Sequence, residues 1–141
     1  MGFNVKIIGN ETIDLPKAII KTVQFKTDTP DDSNARSTDL GVTITIKGKI
    51  LAAVDGGIAD DTMKLTKWSL VPAEKADCYR QLYVEVIAAD QIVRKYSFPN
   101  AFVVDYVEDY ADLEGTGVFE LMLKQKKDKL PAVKIEGGYN V

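Results

Sequence analysis

Between Leu40 and Ile50 the chain reads Leu-Gly-Val-Thr-Ile-Thr-Ile-Lys-Gly-Lys-Ile, with Val42, Ile44 and Ile46 alternating against Thr43, Thr45 and Lys47. A period of two puts one set on each face of an extended strand, and β-branched side chains favour that conformation. A helix, with about 3.6 residues per turn, would scatter the same residues around its axis. This segment is therefore a strand with an apolar face and a threonine face.

The same pattern recurs along the chain. Asn4 to Ile8 alternates weakly and is read as a first strand, followed by a polar turn at Gly9-Asn10-Glu11, and Lys21 to Thr27 alternates cleanly as a half-buried strand. In the second half, Gln81 to Ala88, a tight turn at Ala89-Asp90 and Gln91 to Phe98 read as a hairpin. Pro99-Asn100 is read as a break, and Ala101 to Glu108 as the next strand. Gly115-Thr116-Gly117 opens a strand from Val118 to Gln125, with Phe119, Leu121 and Leu123 on one face, and a short strand from Ala132 to Glu136 ends at Gly137-Gly138-Tyr139. One segment departs from the period of two. After Gly56-Gly57, residues Ile58, Thr62, Leu65 and Trp68 or Ser69 recur at helical spacing, with Asp60 and Asp61 in the first turn, Lys64 and Lys67 later, and Pro72 beyond the end. Antiparallel strands with turn signals about every ten residues, joined by a single helix, predict a mainly β chain: an antiparallel β-barrel or sandwich with one α-helix packed on it.

At 141 residues the chain forms one domain, 1–141, since a chain of this size builds a single core and has no room for a second. Two features reach beyond that core. Asp28 to Asp39 is a long polar stretch of turn-forming residues, and loops of about 12 residues without their own secondary structure are usually functional or disordered. In Ala101-Phe102-Val103-Val104-Asp105-Tyr106-Val107, apolar residues occupy both faces of the strand. The second face is covered either by a neighbouring subunit or by a second layer of the same domain.

Composition limits the chemistry. The chain has no histidine, the usual general base near neutral pH and the commonest metal ligand, so Ser-His-Asp and Cys-His catalysis and histidine-containing zinc sites are excluded. Cys78 is the single cysteine, so no disulfide forms within the chain, and its neighbours Ala76, Asp77 and Tyr79 mark an ordinary part-buried thiol. A net charge of −3 without a basic excess argues against nucleic-acid recognition. No apolar run reaches the roughly 18 residues of a membrane span, and Met1 to Lys6 lacks the pattern of a signal peptide, so synthesis and folding in the cytoplasm are expected.

The remaining constellations have ordinary readings. Asp31-Asp32 and Asp60-Asp61 are a loop pair and helix N-terminal charges, and Asp105, Glu108, Asp109, Asp112 and Glu114 lack the alternate spacing and central glycine of a calcium loop. Gly115-x-Gly117 precedes a strand and lacks the third glycine of a dinucleotide turn. The run Lys124-Gln125-Lys126-Lys127-Asp128-Lys129 reads as lysines guarding a strand end. No catalytic, cofactor or metal residue is assigned, and no enzyme is expected.

The segments Phe98-Pro99-Asn100-Ala101-Phe102-Val103-Val104-Asp105-Tyr106, Gly115-Thr116-Gly117-Val118-Phe119-Glu120-Leu121 and Gly137-Gly138-Tyr139 resemble the tube-forming subunits of phage-tail-like contractile injection systems, in particular the haemolysin-coregulated protein (Hcp). The resemblance extends more loosely over the whole chain through the order of its elements. It implies a β-barrel whose copies pair strands into a six-membered ring, with rings stacking into a tube that meets sheath and baseplate or spike proteins. Such a tube is assembled in the cytoplasm and released or injected within a particle. On this resemblance the polar loop, with Asp31, Asp32, Arg36 and Asp39, reaches the next ring, and Phe102, Val104 and Tyr106 are candidates for the strand contact between subunits. The acidic stretch from Asp105 to Glu114 departs from the family pattern. Two other readings compete: a monomeric β-barrel binding a small apolar ligand, and an enzyme using paired carboxylates, each separated from the first by oligomeric state.

Overall fold

The computed structural model describes residues 1–28, 41–50, 61–112 and 116–140. Among the described residues nine strands form one antiparallel sheet: β1 (Gly2–Ile8), β2 (Thr12–Leu15), β3 (Ile20–Asp28), β4 (Gly41–Ile50), β5 (Arg80–Ala88), β6 (Gln91–Asp109), β7 (Gly117–Gln125), β8 (Lys134–Glu136) and β9 (Tyr139–Asn140). The order across the sheet is β2-β1-β5-β6-β7-β4-β3, and β8 and β9 pair with β6. One α-helix, α1 (Thr62–Ser69), lies between β4 and β5 in the chain. The chain is mainly β, as the alternation predicts. The sheet curls around a common core, and no hydrogen-bonded ladder among the described residues joins its end strands β2 and β3.

The apolar positions of the period-two pattern fill the interior. Val5, Ile7, Ile13, Leu15, Ile44, Ile46, Leu82, Val84, Phe98, Leu121 and Leu123 are each almost wholly buried, and Leu65 and Trp68 of α1 join them. Thr62, Leu65 and Trp68 recur at the helical spacing seen in the sequence and form the buried stripe of α1. Asp61 sits at the N-cap without a side-chain capping bond. Its carboxylate instead accepts from the backbone N–H of Asp14 at 2.9 Å and pairs with Lys64 at 3.4 Å, which ties the helix start to β2. The readings at Gly56-Gly57, Ile58 and Asp60 lie outside the described residues.

Several expectations change. β2 has no counterpart in the sequence reading, because its alternation covers only Thr12–Leu15. The sequence leaves the burial of the threonine face of β4 open, and Thr43 and Thr45 are buried as well as Ile44 and Ile46. The final strand is two short pieces, β8 and β9, preceded by a 3₁₀ turn over Lys127–Ala132. Gly137 makes the corner between them: a Cβ there would lie 2.1 Å from the carbonyl oxygen of Val93. The Ala89-Asp90 turn is tight, and both residues adopt positive φ, 51° and 60°, which the right-handed twist of a two-residue hairpin demands.

Pro99 does not end its strand. β6 runs unbroken from Gln91 to Asp109, because Leu82 faces Phe98 and Arg80 faces Ala101, leaving Pro99 and Asn100 opposite Gln81 alone. This is a β-bulge, one of the places where a residue without an N–H fits inside a ladder. The polar groups freed there are satisfied: the N–H of Asn100 donates to Gln125 Oε1 at 3.0 Å, and its carbonyl accepts from the N–H of Lys126 at 2.9 Å. The bulge also lets one strand serve two neighbourhoods. The first half of β6 lies between β5 and the β8–β9 pieces, and the second half pairs with β7.

Candidate assembly interface

The second half of β6 is the part of the fold that calls for a partner. From Phe102 to Asp109 it pairs with β7 on one side, and among the described residues no strand occupies the other side. An edge of this length presents a row of unpaired N–H and C=O groups, the template for pairing with another chain. A second bulge falls inside it: Val103 faces Leu123 and Asp105 faces Met122, so Val104 has no opposite residue. Val104 and Val107 are 44% and 42% exposed, an apolar surface left open on the edge strand.

The three strand residues singled out in the sequence are distributed around this edge. Phe102 stacks edge-on against Tyr79, with ring centroids 5.8 Å apart. Val104 stands on the bulge. Tyr106 turns to the core side, packs beside Phe119 and donates its hydroxyl to Glu108 at 2.7 Å. The proposed inter-ring residues Asp31, Asp32, Arg36 and Asp39 lie outside the described residues.

Glu108 has a role the sequence reading did not assign. Its carboxylate accepts from the hydroxyls of Tyr106, Tyr110 and Thr66, the last on α1, so one side chain fastens the helix to the edge strand. Burial raises the pKa of Glu108, but the three donated hydrogen bonds outweigh it and leave the carboxyl below its ordinary value. The phenol of Tyr106 is pushed up, first by burial and then by its bond to the Glu108 carboxylate. Tyr110 lies against Gly117, where a Cβ would meet its ring at 2.6 Å. The signal for this cluster was present in the spacing Tyr106-x-Glu108-x-Tyr110, since alternate residues of a strand share a face.

Charge is unevenly spread over the outward face of β3, β4, β7 and the second half of β6. The cross-strand rows place Lys26, Thr43, Lys124 and Phe102 in one line, and Gln24, Thr45, Met122 and Asp105 in the next. Lys26, Lys47, Lys49 and Lys124 lie on β3, β4 and β7 together with Asp28 and Glu120, whereas the charged residues that the second half of β6 turns outward are Asp105 and Asp109. Elsewhere, an open trough of about 660 Å³ on β1, β2, β5 and β6 carries both signs, with Lys6 opposite Asp14 and Glu85 opposite Lys95.

Cys78 is buried, and burial together with the Asp77 carboxylate raises its pKa, which keeps it a protonated thiol. Asp77 pairs with the buried Arg80 at 2.5 Å and accepts from the N–H of Asn10 at 3.1 Å. The Arg80 guanidinium lies over Trp68, 5.2 Å from the ring centroid. Among the described residues no group of three or more His, Cys, Asp and Glu side chains is placed to hold a metal ion. No helix among them is long and apolar enough to cross a membrane. The interior, where a barrel ligand would sit, is filled by Ile7, Ile13, Leu82, Phe98 and Leu121.

No protein-family model matches the sequence, and no curated protein matches it. Solved structures do match the fold. Hcp1 from Flavobacterium johnsoniae is similar over 100% of both chains, at a TM-score of 0.61 and 16% identity. A chain of the sheath-tube complex of the PVC extracellular contractile injection system matches with a TM-score of 0.54 and 12% identity, over 97% of this chain and 89% of that one. A chain of the native gene transfer agent virion matches with a TM-score of 0.54 and 11% identity, over 97% and 95%. The antiparallel sheet with helix α1 is therefore the Hcp-like fold, shared along the length of the chain with proteins of contractile injection systems.

Proposed function

We propose that this chain is a structural subunit whose copies join side by side into rings, and that the rings stack into the inner tube of a phage-tail-like contractile injection system. The observation that carries the reading is the whole-length likeness to Hcp1, with 100% of both chains superposed. The open edge of β6 supports it as well, because a ring subunit needs two different, mutually complementary surfaces, and an unpaired strand edge is one such surface. Six subunits per ring, and contact of the tube with sheath and baseplate proteins, are part of the proposal, as are assembly in the cytoplasm and departure within a particle. The subunit acts by assembling and catalyses no reaction.

Light scattering on the purified chain, with negative-stain electron microscopy of the same sample, tests the reading. Rings or tubes of uniform width are expected. A clean monomer at high concentration would overturn it and turn attention to ligand binding. The loop contact has its own check: Arg36→Glu should hinder stacking while rings persist, and stacking as efficient as the parent's would remove the loop from the inter-ring contact.

A further inference from the structure

We infer that the C-terminal segment from Lys126 to Asn140 is a releasable strap that keeps a second pairing edge of the sheet shut. When the strap lifts, that edge takes up an extended strand of the same sequence, the strap of a second copy. This goes beyond the tube role proposed above and does not rest on it.

Ala101 of β6 faces Arg80 on β5 and Gln125 on β7, so β5 and β7 flank β6 on opposite sides. Tyr96 faces Val84 of β5 and Ile135 of β8, which puts β8 on the β7 side. β9 follows it there, with Tyr139 facing Ile92. The chain beyond the 3₁₀ turn therefore resumes the line of β7 along β6. Without it, Gln91 to Ser97 would present a row of bare N–H and C=O groups, which invites another strand. The strap's own outer edge is blunted by its short strands, by Lys134 and Glu136 and by the corner at Gly137.

The strap is held lightly. β7 has nine residues and buries every second one, whereas β8 has three residues, β9 has two, and every residue from Lys134 to Asn140 is exposed. Its apolar anchors are Leu130 and Val133, both half-buried against the core. A short ladder with little buried surface opens before the rest of a fold. The layer beneath is held independently of it: Tyr96 stacks on Phe25 with ring centroids 4.8 Å apart, and Phe98 meets the same ring edge-on. Closure also selects its occupant. A Cβ on Gly137 would lie 2.1 Å from the carbonyl oxygen of Val93, and Gly138, at φ 80°, donates its N–H to the Ile92 carbonyl at 2.9 Å. A strand that replaces the strap needs the same two glycines at that corner, and the strap of a second copy has them.

The test uses the full chain carrying Gly137→Val and a fluorescent peptide of residues 126–140. Amide hydrogen exchange over 91–97 and 134–140 should quicken about tenfold or more relative to the parent, while that of β4 and β7 stays within about twofold. Circular dichroism and the fluorescence of Trp68, the chain's single tryptophan, check that the rest of the sheet stays folded. The peptide should bind the variant about tenfold or more tightly than the parent, because the open fraction rises by that factor, with anisotropy as the readout. The same peptide carrying Gly137→Val should bind neither protein. Unchanged exchange, or a peptide that binds the variant no better than the parent, would overturn the inference. Collapse of the Trp68 signal in the variant would overturn it as well, since the segment would then not open apart from the core. Each of these outcomes leaves the ring reading untouched, as that is decided by the assembly of the parent alone.

Discussion

Replacing Glu108 with glutamine tests whether the helix is held to the edge strand by charge. The substitution keeps the size of the side chain and removes its negative charge. Of the three hydroxyls that the carboxylate accepts, those of Tyr106 and Thr66 are part-buried and that of Tyr110 is exposed. The Tyr110 bond is discounted because water replaces it. Bonds to a charged group are worth about 1.5–3 kcal/mol and neutral ones about 0.5–1.5. Losing the charged character of two bonds at a partly solvated site should then cost about 1–2 kcal/mol. The Glu108 pKa is lowered in the folded chain from its ordinary 4.5. Its stabilisation is therefore full above that ordinary value and is lost as pH falls through the lower, folded one. Urea unfolding of parent and Glu108→Gln at neutral pH should show the difference, and the two curves should converge in strong acid. Equal stabilities at neutral pH, or a gap that persists in acid, would refute the charge argument. Assembly serves as a second readout, since a loosened helix leaves the β6 edge less ordered for pairing.

Two further outcomes follow from the same structure. Leu65→Ala removes a side chain that is 0% exposed between α1 and the sheet, so it should destabilise the fold by about 3 kcal/mol in urea melts, through lost burial and the cavity left behind. Asp90→Gly relieves a non-glycine residue held at φ 60° and should stabilise by about 0.5–1 kcal/mol, read as a rise in melting temperature.

What the sequence determined by itself is local. Alternation over Leu40 to Ile50 and over Val118 to Gln125 identifies strands because the side-chain period of a strand is set within the strand itself. The buried stripe Thr62, Leu65, Trp68 identifies the helix for the same reason. What tertiary structure decided depends on residues far apart in the chain. Pro99 looks like a break because it lacks an N–H, yet it sits within β6 because Gln81 alone stands opposite Pro99 and Asn100 and the Gln125 side chain bonds the next N–H. The alternation places Thr43 and Thr45 on the face opposite Ile44 and Ile46, but only the assembled sheet, with β3 and β7 on either side of β4, decides that they are buried. Glu108 looks like one acid in a solvated run until folding brings Thr66, 42 residues away, to its carboxylate. The β6 edge, which no strand among the described residues occupies, has no sequence signature, because an edge is defined by the absence of a neighbour, and neighbours are assigned only when the whole sheet is assembled.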